Sequence, residues 1–137
     1  MMLIYIAGPY RHVEGGKTVE QNISAARRTG LQVIQLQLNM FPVIPHLNTA
    51  YMELVAPEIS DEYFLKGTME MMRKCDAVLL TEPYAWEKSA GTRNEMHNAH
   101  YQGIPVFSDI ADLVTWYHMQ QSGDDLDEKS TPPAAPV

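Results

Sequence analysis

A single cysteine, Cys75, excludes an intramolecular disulfide and with it the small stapled folds of the extracellular space. No apolar run approaches the roughly 20 residues that a membrane-spanning helix needs. The amino terminus, MMLIYIAGPY, lacks the basic region and long apolar stretch of a secretory signal, so a cytoplasmic location is expected. Basic residues are scarce: 10 Lys and Arg stand against 17 Asp and Glu, a net charge of −7. That balance is wrong for gripping polymeric nucleic acid, which relies on clustered cations to displace counterions from phosphates. What is present suits an ordinary globular protein, with 45% hydrophobic and 20% charged residues in a chain of 137, room for one domain and not two.

The charge is unevenly spread. Residues 122–137 hold Asp124, Asp125, Asp127 and Glu128 against Lys129 alone, together with three prolines and only Leu126 and Val137 as large apolar side chains. Such a segment cannot repay the entropy of ordering, and it reads as a disordered acidic tail behind a folded domain at residues 1–121. No internal repeat is visible.

Within that domain, Leu3 to Ala7 is a short apolar run closed by Gly8-Pro9, the pattern of a buried strand ending in a turn. Thr18 to Met40 spaces Val19, Ile23, Ala26, Val33, Ile34 and Leu38 for a helix with one buried face, with Gly30 as a potential bend. The segment FPVIP, residues 41–45, is too short for a helix and reads as an edge strand, with His46 just beyond its carboxyl end. Ser60 is an N-cap candidate for a helix to Lys74, since Asp61 and Glu62 suit the positive end of the helix dipole and Phe64, Leu65, Met69 and Met72 form an apolar stripe. Asp76 to Thr81 is a further strand, Ala90 to Gln102 a helix stopped at Gly103, Ile104 to Phe107 a strand and Asp109 to Gln120 a last helix. Strands alternating with helices imply a parallel sheet covered on both faces. The expected fold is α/β, a small doubly wound domain of the Rossmann or flavodoxin kind with four to five strands.

Open parallel sheets bind ligands beyond the carboxyl ends of their strands. That rule nominates the loop of Gly8 to Gly16, the segment from His46 onward, the loop of Glu82 to Thr92, and Ser108-Asp109. The first loop offers glycine backbone and Arg11 to a phosphate, although it matches neither GxGxxG nor GxxxxGK[ST]. The third runs through Ser89-Ala90-Gly91 into a helix, a natural anion site, with Glu95 about one turn further in. Glu95 is either a favourable charge near a helix start or a nucleophile for an anomeric carbon. Tyr84 and Trp86 could stack on a base or pack the loop. His97 and His100 share a helix face, but no Cys or acidic cluster completes a metal site, so no metal and no cofactor are expected. Cys75 reads as inert core, and the methionines Met69, Met71 and Met72 as core or subunit interface.

Taken in order, IYIAGPY, an amphipathic helix, PVIPHL, Cys75-Asp76 leading into AVLL, Trp86, the S-x-G-x-x-x-E of Ser89, Gly91 and Glu95, and GIPV resemble the nucleoside 2-deoxyribosyltransferase-like family over residues 3–107. That family includes 2′-deoxynucleoside 5′-phosphate N-hydrolases. The resemblance implies that Glu95 is the nucleophile that attacks C1′, forming a glycosyl-enzyme resolved by water or by a second base. It implies a substrate site drawn from Gly8, Pro9, Tyr10, Arg11, His46, Thr68, Trp86, Ser89 and Gly91. Ser89 matches the place where the phosphate-selective members carry serine, and Gly8 to Arg11 match the loop that wraps the 5′-phosphate. A homo-oligomer is implied too, because family members form their sites at subunit interfaces.

One position departs from the family pattern. Thr68, eight residues before Asp76, stands where the well-studied members have an aspartate that assists the departing base. A threonine hydroxyl is no general acid near neutral pH. Either another group supplies the proton, with Glu70, Asp61 and His46 as candidates, or the reaction differs, or the site only binds. The expected function is therefore hydrolysis of an N-glycosidic bond, or deoxyribosyl transfer, on a nucleoside 5′-monophosphate or nucleoside, with a non-catalytic nucleotide-binding module as the alternative. Its partner is a small molecule, neither polymeric nucleic acid nor membrane.

Overall fold

A computed structural model describes residues 1–12, 15–83, 87 and 89–130, with side chains as far as residue 123. Four parallel strands, β1 (Met2–Ala7), β2 (Met40–Val43), β3 (Ala77–Leu80) and β4 (Val106–Phe107), form one sheet in the order β2-β1-β3-β4. Period-2 alternation divides the core. Ile4 and Ile6 of β1 and Ala77 and Leu79 of β3 face one layer, with Ala26 and Val33 of α1 (Val19–Gln35) and Leu113 and Tyr117 of α6 (Ile110–Ser130). Tyr5, Ala7, Val78 and Leu80 face the other, with Met72 of α4 (Asp61–Arg73), Cys75, and Ala99 of α5 (Ala90–Tyr101). The sheet is thus covered on both faces, as a doubly wound α/β fold requires.

The helix starts follow the sequence. Ser60 caps α4 by accepting from Tyr63 N, and Ser89 caps α5 by accepting from Thr92 N. Thr18 and Gln21 form a reciprocal capping box at the start of α1. At the end of α5, Gly103 takes φ +72°, and its N–H and that of Ile104 donate to the His100 and Ala99 carbonyls. This Schellman closure favours glycine, whose missing Cβ makes the left-handed conformation free of strain.

Three expectations need correction. First, α1 neither bends at Gly30 nor reaches Met40; it ends at Gln35, and Gln37 adopts φ 55°. Gly30 is there for contact, since a Cβ would strike the Ile44 side chain. Second, the region after β2 holds two short helices, α2 (Pro45–Asn48) and α3 (Met52–Val55), and Pro45 opens the first of them instead of ending the strand. Third, α6 runs on to Ser130, so residues 122–130 are helical where the composition suggested a disordered tail; residues 131–137 lie outside the described residues. Extending an existing helix carries no nucleation cost, and no proline interrupts the chain between Pro105 and Pro132. Among the described residues, no helix is long and apolar enough to cross a membrane.

Candidate functional site

Leaving β1 the chain turns to β2 on one side, and leaving β3 it turns to β4 on the other, so the crevice between β1 and β3 is the topological switch point. Gly8 and Thr81 follow these two strands. They approach so closely that a Cβ on Gly8 would collide with the Thr81 hydroxyl. Above this junction opens a cleft of about 630 Å³. Its walls are the loop after β1, α2 and α3, the start of α4, and the first turns of α5.

Of the residues the sequence singled out, Gly8, Tyr10, Arg11, His46, Thr68, Ser89, Gly91 and Glu95 all line this one cleft. Pro9 does not line it; its carbonyl instead accepts from the His46 ring. Trp86 and Tyr84 lie outside the described residues. Of the proposed proton sources, Asp61 and His46 reach the cleft, whereas Glu70 pairs with Arg73 beside a separate groove between α4 and α5. His97 and His100 gain no ligand set, since among the described residues no three His, Cys, Asp or Glu side chains converge.

Glu95 is the chemical centre. It sits on α5 with 8% of its surface exposed, and burial lifts its carboxyl pKa to about 7, partly opposed by the Tyr5 hydroxyl. Desolvation disfavours the charged form, and a group poised near neutrality is suited to act as a nucleophile or base. Tyr5, fully buried on β1, lies beside Glu95 and Thr68 without a hydrogen bond of standard geometry to either. Burial first, then the neighbouring Glu95, push its hydroxyl far above the usual tyrosine range. The Thr68 hydroxyl donates to the Leu65 carbonyl at 3.0 Å.

Two of the three anion-binding features, Ser89 and Arg11, are engaged with other groups of the protein. Ser89 Oγ accepts from Thr92 N at 3.1 Å and from Thr92 Oγ1 at 3.0 Å. The amides of Ala90 and Gly91, in the first turn of α5, have no acceptor within the helix, and both residues line the cleft. The Arg11 guanidinium pairs with Asp61 Oδ1.

The first loop is clamped from three sides. Asn22 Nδ2 on α1 donates to the Tyr10 and Arg11 carbonyls at 3.1 and 3.3 Å. His46 Nε2 lies 3.0 Å from both the Gly8 and Pro9 carbonyls, which makes it the protonated nitrogen. Burial holds the His46 pKa below its ordinary value, so the ring is neutral, and its buried Nδ1 has no hydrogen-bond partner among the described residues. Tyr10 Oη donates to Glu53 Oε1 at 2.8 Å and accepts from Tyr51 N at 2.9 Å. Sequence reasoning missed Tyr5, Asn22, Glu53 and Glu62. The one available signal was a tyrosine inside the apolar run of β1, a residue whose hydroxyl wants a polar neighbour when buried.

The model of a family described as a domain of unknown function, DUF7768, matches residues 2–109. No curated protein matches the chain in sequence. Among solved structures, a 2-deoxyribosyltransferase from Leishmania mexicana is similar at 23% identity and a TM-score of 0.49. The similarity covers 77% of this chain and 62% of that one.

Proposed function

The chain belongs to the DUF7768 family, and from the geometry of its cleft we propose that it breaks the N-glycosidic bond of a nucleoside 5′-monophosphate or nucleoside, by hydrolysis or deoxyribosyl transfer. The observation that carries this reading is Glu95, a buried carboxyl with a pKa near 7 at the sheet's switch point. Its ionised oxygen attacks C1′ and displaces the base, and water or a second base then releases the sugar from the glutamyl ester. The free amides at the start of α5 and Arg11 supply donors for a 5′-phosphate.

The test is incubation with nucleosides and their 5′-monophosphates, following free base by chromatography. Base release that disappears in Glu95→Ala is expected; no release from any substrate, or release unchanged in that variant, overturns the reading. A second reading, a nucleotide-binding module without turnover, is favoured by the Thr68 hydroxyl being committed to a backbone carbonyl. It predicts that a nucleotide raises the Tm while no base is released.

A homo-oligomer is part of the proposal. Leu54 and Val55 of α3, beside the cleft, expose 71% and 86% of their surfaces, an apolar edge suited to a second copy. Light scattering tests it: a monomeric mass at micromolar concentration counts against it.

A further inference from the structure

Resting on the glycosidic reading of the cleft, we propose that its substrate carries a positively charged nitrogen heterocycle, a pyridinium or an N7-alkylated purine, which departs from the sugar as a neutral molecule. Two independent features of the cleft converge on this substrate class: among its described lining residues, the lack of a free proton donor for the leaving group and the sign of the charge.

An uncharged purine or pyrimidine leaves as an anion unless an acid protonates it, and among the described lining residues no such acid is free. Thr68, near the Glu95 end, gives its single proton to the Leu65 carbonyl. His46 Nε2 gives its proton to two backbone carbonyls, and its Nδ1 is an acceptor. The Tyr10 hydroxyl donates to Glu53. Asp61 and Glu62 are held as ion pairs by Arg11 and Lys66. Tyr5 holds its proton more tightly than an ordinary tyrosine. A cationic heterocycle needs none of these groups. The bond from a Glu95 oxygen to C1′ forms as the C1′–N⁺ bond breaks, its electron pair neutralises the ring nitrogen, and no proton moves. Water then opens the glutamyl ester, leaving the sugar hydroxyl, the Glu95 carboxylate and one proton released to solvent.

The charge of the lining points the same way. Glu53, Asp61, Glu62 and Glu95 surround the cleft, and among the described lining residues Arg11 is the one basic side chain, already facing Asp61. Such a lining favours a cationic ring over an uncharged one, while the α5 amides and Arg11 remain the donors for a phosphate at the other end of the sugar. Tyr10 and Phe64 add aromatic surface suited to a flat cation.

The experiment compares nicotinamide riboside and deoxyriboside and N7-methyl-2′-deoxyguanosine with uncharged adenosine and 2′-deoxyguanosine, each also as the 5′-monophosphate. Release of heterocycle is followed by chromatography, with the rate in Glu95→Gln subtracted. The expected result is a kcat/KM for cationic substrates about 100-fold or more above that for uncharged ones, the span a general acid ordinarily supplies. Equal or faster release from uncharged substrates overturns the inference and leaves the glycosidic reading standing; no release from either set overturns both. Thr68→Asp places an acid beside Glu95 and is expected to narrow the preference by about tenfold or more. A preference that stays the same in that folded variant overturns the claim that a missing proton donor sets it.

Discussion

Arg11 and Asp61 face each other across the mouth of the cleft, the guanidinium of the first loop against the first residue of α4. Both are largely exposed, 57% and 75%, so the pair stabilises the fold by at most about 1 kcal/mol. Its interest is that a phosphate must compete with Asp61 for the same donors. Asp61→Asn should therefore leave the Tm within a few degrees and tighten binding of a 5′-monophosphate by roughly ten-fold, the range of a hydrogen bond to a charged group. Arg11→Ala should weaken the nucleotide by a similar factor and spare the nucleoside. Calorimetric titration of both ligands against both variants checks this; equal effects on nucleoside and nucleotide would remove Arg11 as the phosphate ligand.

Glu95 links pH to both activity and stability. Its pKa, about 7 in the fold, lies above the ordinary glutamate value of 4.5 because burial penalises the carboxylate. Between these values the folded state holds a proton that the unfolded state has lost, so stability falls as pH rises through the window and is flat above about 7. The whole cost is on the order of 3 kcal/mol. Glu95→Gln removes it, so this variant should melt higher than wild type at pH 8 and close to it at pH 4.5, while releasing no base. The rate of the wild type should fall on the acid side of about pH 7, as the nucleophile becomes protonated. A stability gap that is the same at both pH values would show that Glu95 is not the titrating group.

How much of this was legible in the sequence depended on whether a residue's partner was near it in the chain. The apolar runs of β1 and β3, the Ser60 cap and the stop at Gly103 are local signals, and they placed the elements that hold the cleft. The cleft residues fell out of the topology, because strand ends in a parallel sheet converge wherever the loops lie in sequence. The left-handed Gln37 that ends α1 carries no glycine to announce it, and the extension of α6 depended on a helix already being there. Tyr5 was hidden because its ring completes an apolar strand while its hydroxyl meets Glu95, 90 residues on. The Arg11–Asp61 pairing joins residues 50 positions apart. It makes the expected phosphate ligand a partnered one, which no local pattern could announce.

The His46 ring should matter through the loop it holds. Replacing it by alanine leaves two carbonyls unpartnered and a buried space, a loss of about 2 to 4 kcal/mol. Its lowered pKa also makes the wild type lose stability as pH falls below about 6.5, since the unfolded ring takes up a proton that the buried ring resists. In His46→Gln, whose amide can still donate to a carbonyl, that acid sensitivity should shrink while binding persists. Urea unfolding at pH 5 and 7.5 distinguishes the two; an unchanged pH slope in His46→Gln would assign the acid sensitivity to another group.

The close approach of β1 and β3 yields a coupled pair of substitutions. A Cβ on Gly8 meets Thr81 Oγ1 and Cγ2, the side chain that follows β3. Gly8→Ala must push these strand ends apart or rotate the threonine, an overpacking cost of typically 1 to 3 kcal/mol. Because Gly8 opens the loop that carries Tyr10 and Arg11, the same displacement should weaken nucleotide binding. Thr81→Ala removes the atoms that clash, so the double variant should recover most of the stability lost in Gly8→Ala, a coupling that additive sites do not show. Chemical denaturation of the four proteins measures it. Full additivity would mean that the glycine serves the loop conformation and not the junction between the strands.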